Sequence, residues 1–194
     1  SHNPTRTRLE ECLASLENAK NCIVTSSGMA ACTLIFQSLP QGSKILCGDD
    51  VYGGTYRLLN KVYNDRFEIK HINTTYTESV KNELNSFKPD LVWIESPTNP
   101  MLQISDIKAI CREAHDVKAK VVVDNTFMSP YFQNPLDLGA DMVLHSLTKY
   151  INGHSDVVGG AIMLNDQPQY DKLWFLQNSI GPCQSPFDSW LVLR

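Results

Sequence analysis

Apolar positions along the chain fall into two rhythms. Short runs of β-branched and aliphatic residues, at 44–47 (KILC), 68–72 (EIKHI), 91–95 (LVWIE), 120–124 (KVVVD), 141–144 (DMVL) and 160–164 (GAIML), predict strands. Between them apolar residues recur every three or four positions, as with Val80, Leu84 and Phe87, and again with Ile107, Ile110, Cys111 and Ala114. That spacing predicts helices with one buried face. Ser105 fits an N-cap for the second, with Asp106 favouring the positive end of its dipole, and Pro89 stops the first. Leu9, Leu13 and Leu16 predict a helix near the start, and 187–194 (FDSWLVLR) another near the end. Strands alternating with helices imply an α/β fold, a mostly parallel sheet flanked by helices.

The 194 residues suit one domain spanning 1–194, with no repeat or linker to divide it. Apolar residues make up 42% of the chain, enough for a real core, which excludes disorder. A net charge of −4, without a basic stripe, argues against nucleic acid as a partner. No apolar run approaches the roughly 20 residues that cross a bilayer, and no signal-peptide layout opens the chain. No membrane association and a cytoplasmic address are therefore expected. The six cysteines are dispersed singly and read as small core residues. Neither they nor the five histidines show metal-ligand spacing, so no metal is expected.

In open α/β sheets ligands sit beyond the carboxyl ends of the strands, so the residues just after each strand carry the chemistry. Ser26, Ser27, Gly28 and Met29 follow the apolar run 22–24 and open a helix running to about Leu39, a natural phosphate cradle or an ordinary cap. Tyr52 stands beside Gly53 and Gly54, where a flat ligand can approach, or where a tight turn half-buries the ring. Asn99 lies between Pro97 and Pro100, which stiffen a turn after the strand at 91–95. Asp124 ends the most apolar strand and needs a cation or a hydrogen-bond donor. Lys149, with hydroxyls at Ser146 and Thr148 and a glycine turn beyond, reads as a solvated charge or as a lysine holding an aldehyde cofactor as a Schiff base.

The run DMVLHSLTKYINGHSDVVGG (141–160) resembles the pyridoxal-phosphate attachment signature of the trans-sulfuration, or Cys/Met metabolism, enzymes. SSGMAA, DDVYGGTYR, WIESPTNP, VVVDNTFMSPYFQNPLDLGAD and FLQNSIGPCQSPFD resemble that family in the same order, so the likeness covers essentially the whole chain.

The resemblance implies the large domain of a fold-type-I pyridoxal-phosphate enzyme. It assigns Lys149 to the Schiff base, and Ser27, Gly28, Met29, Ser146 and Thr148 to the cofactor phosphate. Asp124 pairs with the pyridine nitrogen, Tyr52 stacks on the ring and helps move protons, and Asn99 reaches the phenolic oxygen. Lys149, Tyr52 and Asp124 are the expected catalytic residues. DNTFMSPYFQNPL looks most like the γ-lyase branch, which implies γ-elimination of cystathionine to cysteine, 2-oxobutanoate and ammonia; YGGTYRLL also suits the γ-synthase branch, which runs γ-replacement. Gly54 stands where the methionine γ-lyase branch has cysteine. The family's N-terminal arm and C-terminal small domain are expected to be absent from this stretch, which leaves open a catalytically silent piece acting only by association. Family members form homotetramers of close dimers. Phe187, Trp190, Leu191 and Leu193 are the expected surface for the C-terminal domain to cover.

Overall fold

The computed structural model describes residues 2–194. Its elements run α1 (Pro4–Leu16), β1 (Asn21–Thr25), α2 (Gly28–Gln37), β2 (Lys44–Gly48), α3 (Gly53–Arg57) with a π-helical turn at Leu58–Val62, and β3 (Glu68–Ile72). They continue through α4 (Thr77–Phe87), β4 (Leu91–Glu95), α5 (Ile107–Asp116), β5 (Lys120–Asp124), α6 (Ser129–Phe132), β6 (Met142–Ser146), β7 (Gly160–Leu164), α7 (Gln167–Ile180) and α8 (Pro186–Leu193). One seven-stranded sheet has the order β1-β7-β6-β5-β4-β2-β3. Strands β2 to β6 pair in parallel, and β7 lies antiparallel to both β6 and β1.

The strands at the centre read as unbroken apolar runs because both faces are covered. On one face Cys47, Trp93, Val122, Leu144 and Ile162 pack against Ile35 and Phe36 of α2. The Phe36 and Trp93 rings, both fully buried, have centroids 4.9 Å apart. On the other face Val92, Ile94, Val121 and Val123 meet Val80 and Leu84 of α4 and Ile107 and Ile110 of α5. Towards β1 that second face is covered by Leu9 and Leu13 of α1 and Val192 of α8. Removing either central ring would cost about 3–5 kcal/mol, since a close-packed interior relaxes only partly around a cavity.

The structure differs from the sequence expectations in a few places, each with a physical reason. The segment 22–24 is a full strand, paired along its length with β7. The cap of α5 is Asp106, whose carboxylate accepts from Ala109 N at 2.9 Å. Ser105 is instead buried, its hydroxyl 2.7 Å from Thr74 Oγ1 and its N–H donating to Ser96 Oγ. Leu16 is half exposed, because α1 ends there and leaves the sheet. Cys12 is exposed, one position off the buried Leu9 and Leu13 stripe, and Cys183 is only partly buried; the other four cysteines are in the core. Lys88 takes a left-handed conformation ahead of Pro89 as α4 ends. Among the described residues no helix is long and apolar enough to cross a membrane, and no group of side chains could hold a metal ion.

Candidate active site

The carboxyl ends of the parallel strands open onto a cavity of about 290 Å³. One wall is the N-terminus of α2. Ser27 is extended and caps the helix, its Oγ accepting from Ala30 N at 3.0 Å. The first amides of a helix have no partner within it and face outward, so this end attracts an anion. Gly28 allows the helix to press on β6: a Cβ there would sit 3.0 Å from that of Ser146. A tighter approach lies at Gly160, the first residue of β7, where a Cβ would fall 2.2 Å from the Ser27 carbonyl oxygen. Gly160 is registered between Thr25 and Ser146, so its missing side chain seats the helix cap against the sheet.

Asp124 ends β5 on the cavity floor, almost fully buried. Its Oδ1 accepts from Thr126 N at 3.0 Å and from Thr126 Oγ1 at 2.6 Å, and Thr126 Oγ1 in turn accepts from Ser146 N at 2.9 Å. Burial raises the Asp124 pKa, while the Thr126 bonds and the His145 ring oppose that rise. Glu95, the in-register neighbour of Asp124 on β4, also faces the cavity. Burial, reinforced by the charge of Asp124, lifts its pKa to about 8. The Glu95 carboxylate accepts from Tyr52 N at 2.8 Å, which fixes the loop after β2. Asp50 ties the same loop to the next one by accepting from Thr98 Oγ1 and, at 3.0 Å, from Met101 N.

The Tyr52 ring remains 43% exposed over the cavity. Gly54 makes room for it, since a Cβ there would lie 2.4 Å from Tyr52 Cε1 and 2.7 Å from Met29 Sδ. Lys149 stands in the turn after β6, anchored by its N–H to Ser146 O at 3.2 Å. Among the described residues its Nζ makes no hydrogen bond or ion pair, which leaves a free amine at the cavity rim. The Thr148 hydroxyl is engaged by Gly159, accepting from its N–H at 3.1 Å.

Ser27, Gly28, Met29, Tyr52, Asn99, Asp124, Ser146, Thr148 and Lys149, predicted from separate strand ends, all line this one cavity. Glu95, Thr126 and Gly160 were not foreseen. A signal for Glu95 existed, for it closes LVWIE as Asp124 closes KVVVD. Parallel in-register strands bring such carboxylates side by side.

The donor set fits pyridoxal phosphate. Hydroxyls and a helix N-terminus suit a phosphate, a buried carboxylate suits a protonated ring nitrogen, and an unpaired lysine suits an aldehyde. Fold and cavity thus define an α/β protein built to hold a phosphorylated aromatic aldehyde beside a lysine.

Comparison with known proteins agrees. The family described as Cys/Met metabolism PLP-dependent enzyme matches residues 1–194. A probable cystathionine γ-synthase of Herpetosiphon aurantiacus is 52% identical over 99% of this chain and 60% of its own length. A cystathionine γ-lyase of Dictyostelium discoideum is also 52% identical, over the whole of this chain and 50% of its own length. The crystal structure of the Xanthomonas oryzae pv. oryzae cystathionine γ-synthase in complex with cystathionine superposes with a TM-score of 0.96 at 45% identity, covering 100% of this chain and 50% of that one. The chain therefore belongs to the Cys/Met metabolism family of pyridoxal-phosphate-dependent enzymes, whose fold and cofactor it shares. It spans between 50% and 60% of the length of these relatives.

Proposed function

We propose that this chain is the cofactor-binding large domain of a trans-sulfuration γ-lyase that splits L-cystathionine into cysteine, 2-oxobutanoate and ammonia. The observation that carries the reading is the convergence of Lys149, Asp124 and the Ser27–Ser146–Thr148 hydroxyls on one cavity. When bound, pyridoxal phosphate supplies an electron sink for the pair left on the substrate α-carbon as its proton departs. Asp124 holds a proton at the ring nitrogen, and Ser27, Ser146, Thr148 and the α2 amides hold the phosphate. Tyr52 covers the ring face, and the Asn99 amide orients the cofactor and the substrate carboxylate. Lys149 takes the α-proton and relays a proton from the β-carbon, while Tyr52 delivers a proton to the departing sulfur.

Cleavage at the γ-carbon is favoured by the likeness of DNTFMSPYFQNPL to the γ-lyase branch. The 52% identity to a probable γ-synthase supports a second reading, γ-replacement on an activated homoserine. Feeding the intact protein cystathionine alone, then an activated homoserine with cysteine, distinguishes them. Release of 2-oxobutanoate from cystathionine is expected; cystathionine accumulating only in the second mixture would establish the synthase instead. A cytosolic address belongs to the same reading, in keeping with the dispersed free thiols. So does assembly into a tetramer of close dimers, for which the exposed Tyr131–Phe132 ring pair offers surface, while the exposed Phe187–Trp190 pair suits a covering C-terminal domain; Leu191 packs inward instead.

A further inference from the structure

Beneath the cavity, on the reverse face of the sheet, lies a polar cluster whose centre, Glu17, Asn125 and His145, is fully buried. Successive side chains of a strand point to opposite faces. Thus Ser146 lines the cavity while His145 faces away, and Asp124 and Asn125 divide in the same manner. One carboxylate collects both hidden side chains. Glu17, at the end of α1 and fully buried, accepts at Oε1 from His145 Nε2 at 2.5 Å and from Asn125 Nδ2 at 2.8 Å. Asn125 Nδ2 also donates to Gln133 O at 2.8 Å, and Gln133 Nε2 bridges Asn125 Oδ1 at 2.9 Å and Ser96 O at 3.1 Å. The ends of β4, β5 and β6 are joined by directional bonds one residue away from the groups that face the cofactor.

We propose that Glu17 is a positioning residue, setting the spacing of the β5 and β6 ends so that Asp124 and Ser146 grip the two poles of the cofactor. The inference rests on the pyridoxal-phosphate reading above. A buried carboxylate–imidazole contact is rarely more stabilising than apolar side chains of the same volume, so stability alone is a weak reason for it. What apolar packing lacks is direction. Hydrogen bonds specify where each strand end sits, and a phosphate and a ring nitrogen at fixed separation require that. The His145 ring adds a second effect through the sheet by favouring the ionised form of Asp124.

The test compares wild type, Glu17→Ala, Glu17→Gln and Gln133→Ala in the intact protein. It reads cofactor affinity by titrating the apoprotein with pyridoxal phosphate, and the visible circular dichroism of the loaded protein. Glu17→Ala is expected to bind at least about tenfold more weakly with altered dichroism, the scale of one lost hydrogen bond to a charged group. Glu17→Gln, which keeps an accepting oxygen, should recover most of the affinity. Gln133→Ala, at a partly exposed position, should weaken binding several-fold and keeps the test available if Glu17→Ala does not fold. A lowered melting temperature with wild-type affinity and dichroism in Glu17→Ala and Gln133→Ala would reduce the cluster to a structural role and overturn the inference alone. A wild type that stays colourless with excess cofactor would overturn the cofactor reading and this inference with it.

Discussion

The two ends of the central strands treat charge in opposite ways. At the amino ends Asp141 is bonded by Lys120 Nζ at 2.9 Å, by His115 Nε2 at 3.0 Å and by Val121 N at 2.8 Å. Lys120 and His115 are both about half exposed, so water shares the work. At the carboxyl ends Asp124 and Glu95 lie buried on neighbouring strands, and among the described residues neither makes an ion pair. Lys149, which lines the same cavity, is likewise unpaired among the described residues. One end pairs its charged groups within the fold; the other leaves two buried carboxyl groups and an amine unpaired, open to a ligand that brings the complement. A ligand bound only by the folded state stabilises it by mass action, so cofactor uptake should raise the melting temperature.

That contrast is open to direct attack. Lys149→Ala tests the binding end most severely: turnover should fall by at least about 10⁴-fold, the upper range for proton transfer by a positioned group, with loss of the visible absorbance. Retention of either would remove Lys149 from the chemistry. Gly160→Ala forces a methyl group towards the Ser27 carbonyl oxygen and should destabilise the fold by about 1–3 kcal/mol in denaturant titration while weakening phosphate binding.

Glu95→Gln probes the paired carboxylates through pH. Glu95 ordinarily titrates near 4.5 and is raised to about 8 in the fold. Between those values the folded chain keeps a proton that the unfolded chain has released, so apoprotein stability falls as pH rises through the window. Glu95→Gln should flatten that fall in melting curves; an unchanged slope would place the missing proton elsewhere. At the opposite end Lys120→Ala should alter stability by no more than about 1 kcal/mol, as expected for a solvent-exposed ion pair. A larger loss there would erase the distinction between the two ends.

The predicted strands were legible because the central ones are buried on both faces, and LVWIE and VVVD have no other reading at that length. Strand β1 was harder, for its partner lies far along the chain. The α5 cap was displaced by one residue because Ser105 and Asp106 have equal local claims; a buried partner at Thr74 settled it. The cavity residues were readable as ends of strands, and the family resemblance gave them roles. Glu95 was marked only by closing LVWIE and Glu17 by nothing, since their meaning comes from neighbours on other elements: Asp124 across the sheet for one, His145 and Asn125 for the other.

The antiparallel pairing of β1 with β7 also constrains the order in which the molecule can be completed. Residues 21–25 leave the ribosome well before the strand they join, which ends at Leu164. At about 5–20 residues per second, that leaves NCIVT without its partner for on the order of ten seconds. An apolar segment waiting with bare backbone amides is a template for the wrong neighbour. Correct closure also brings Gly160 beneath Ser27, so the newborn chain acquires its anion-binding corner only as β7 arrives.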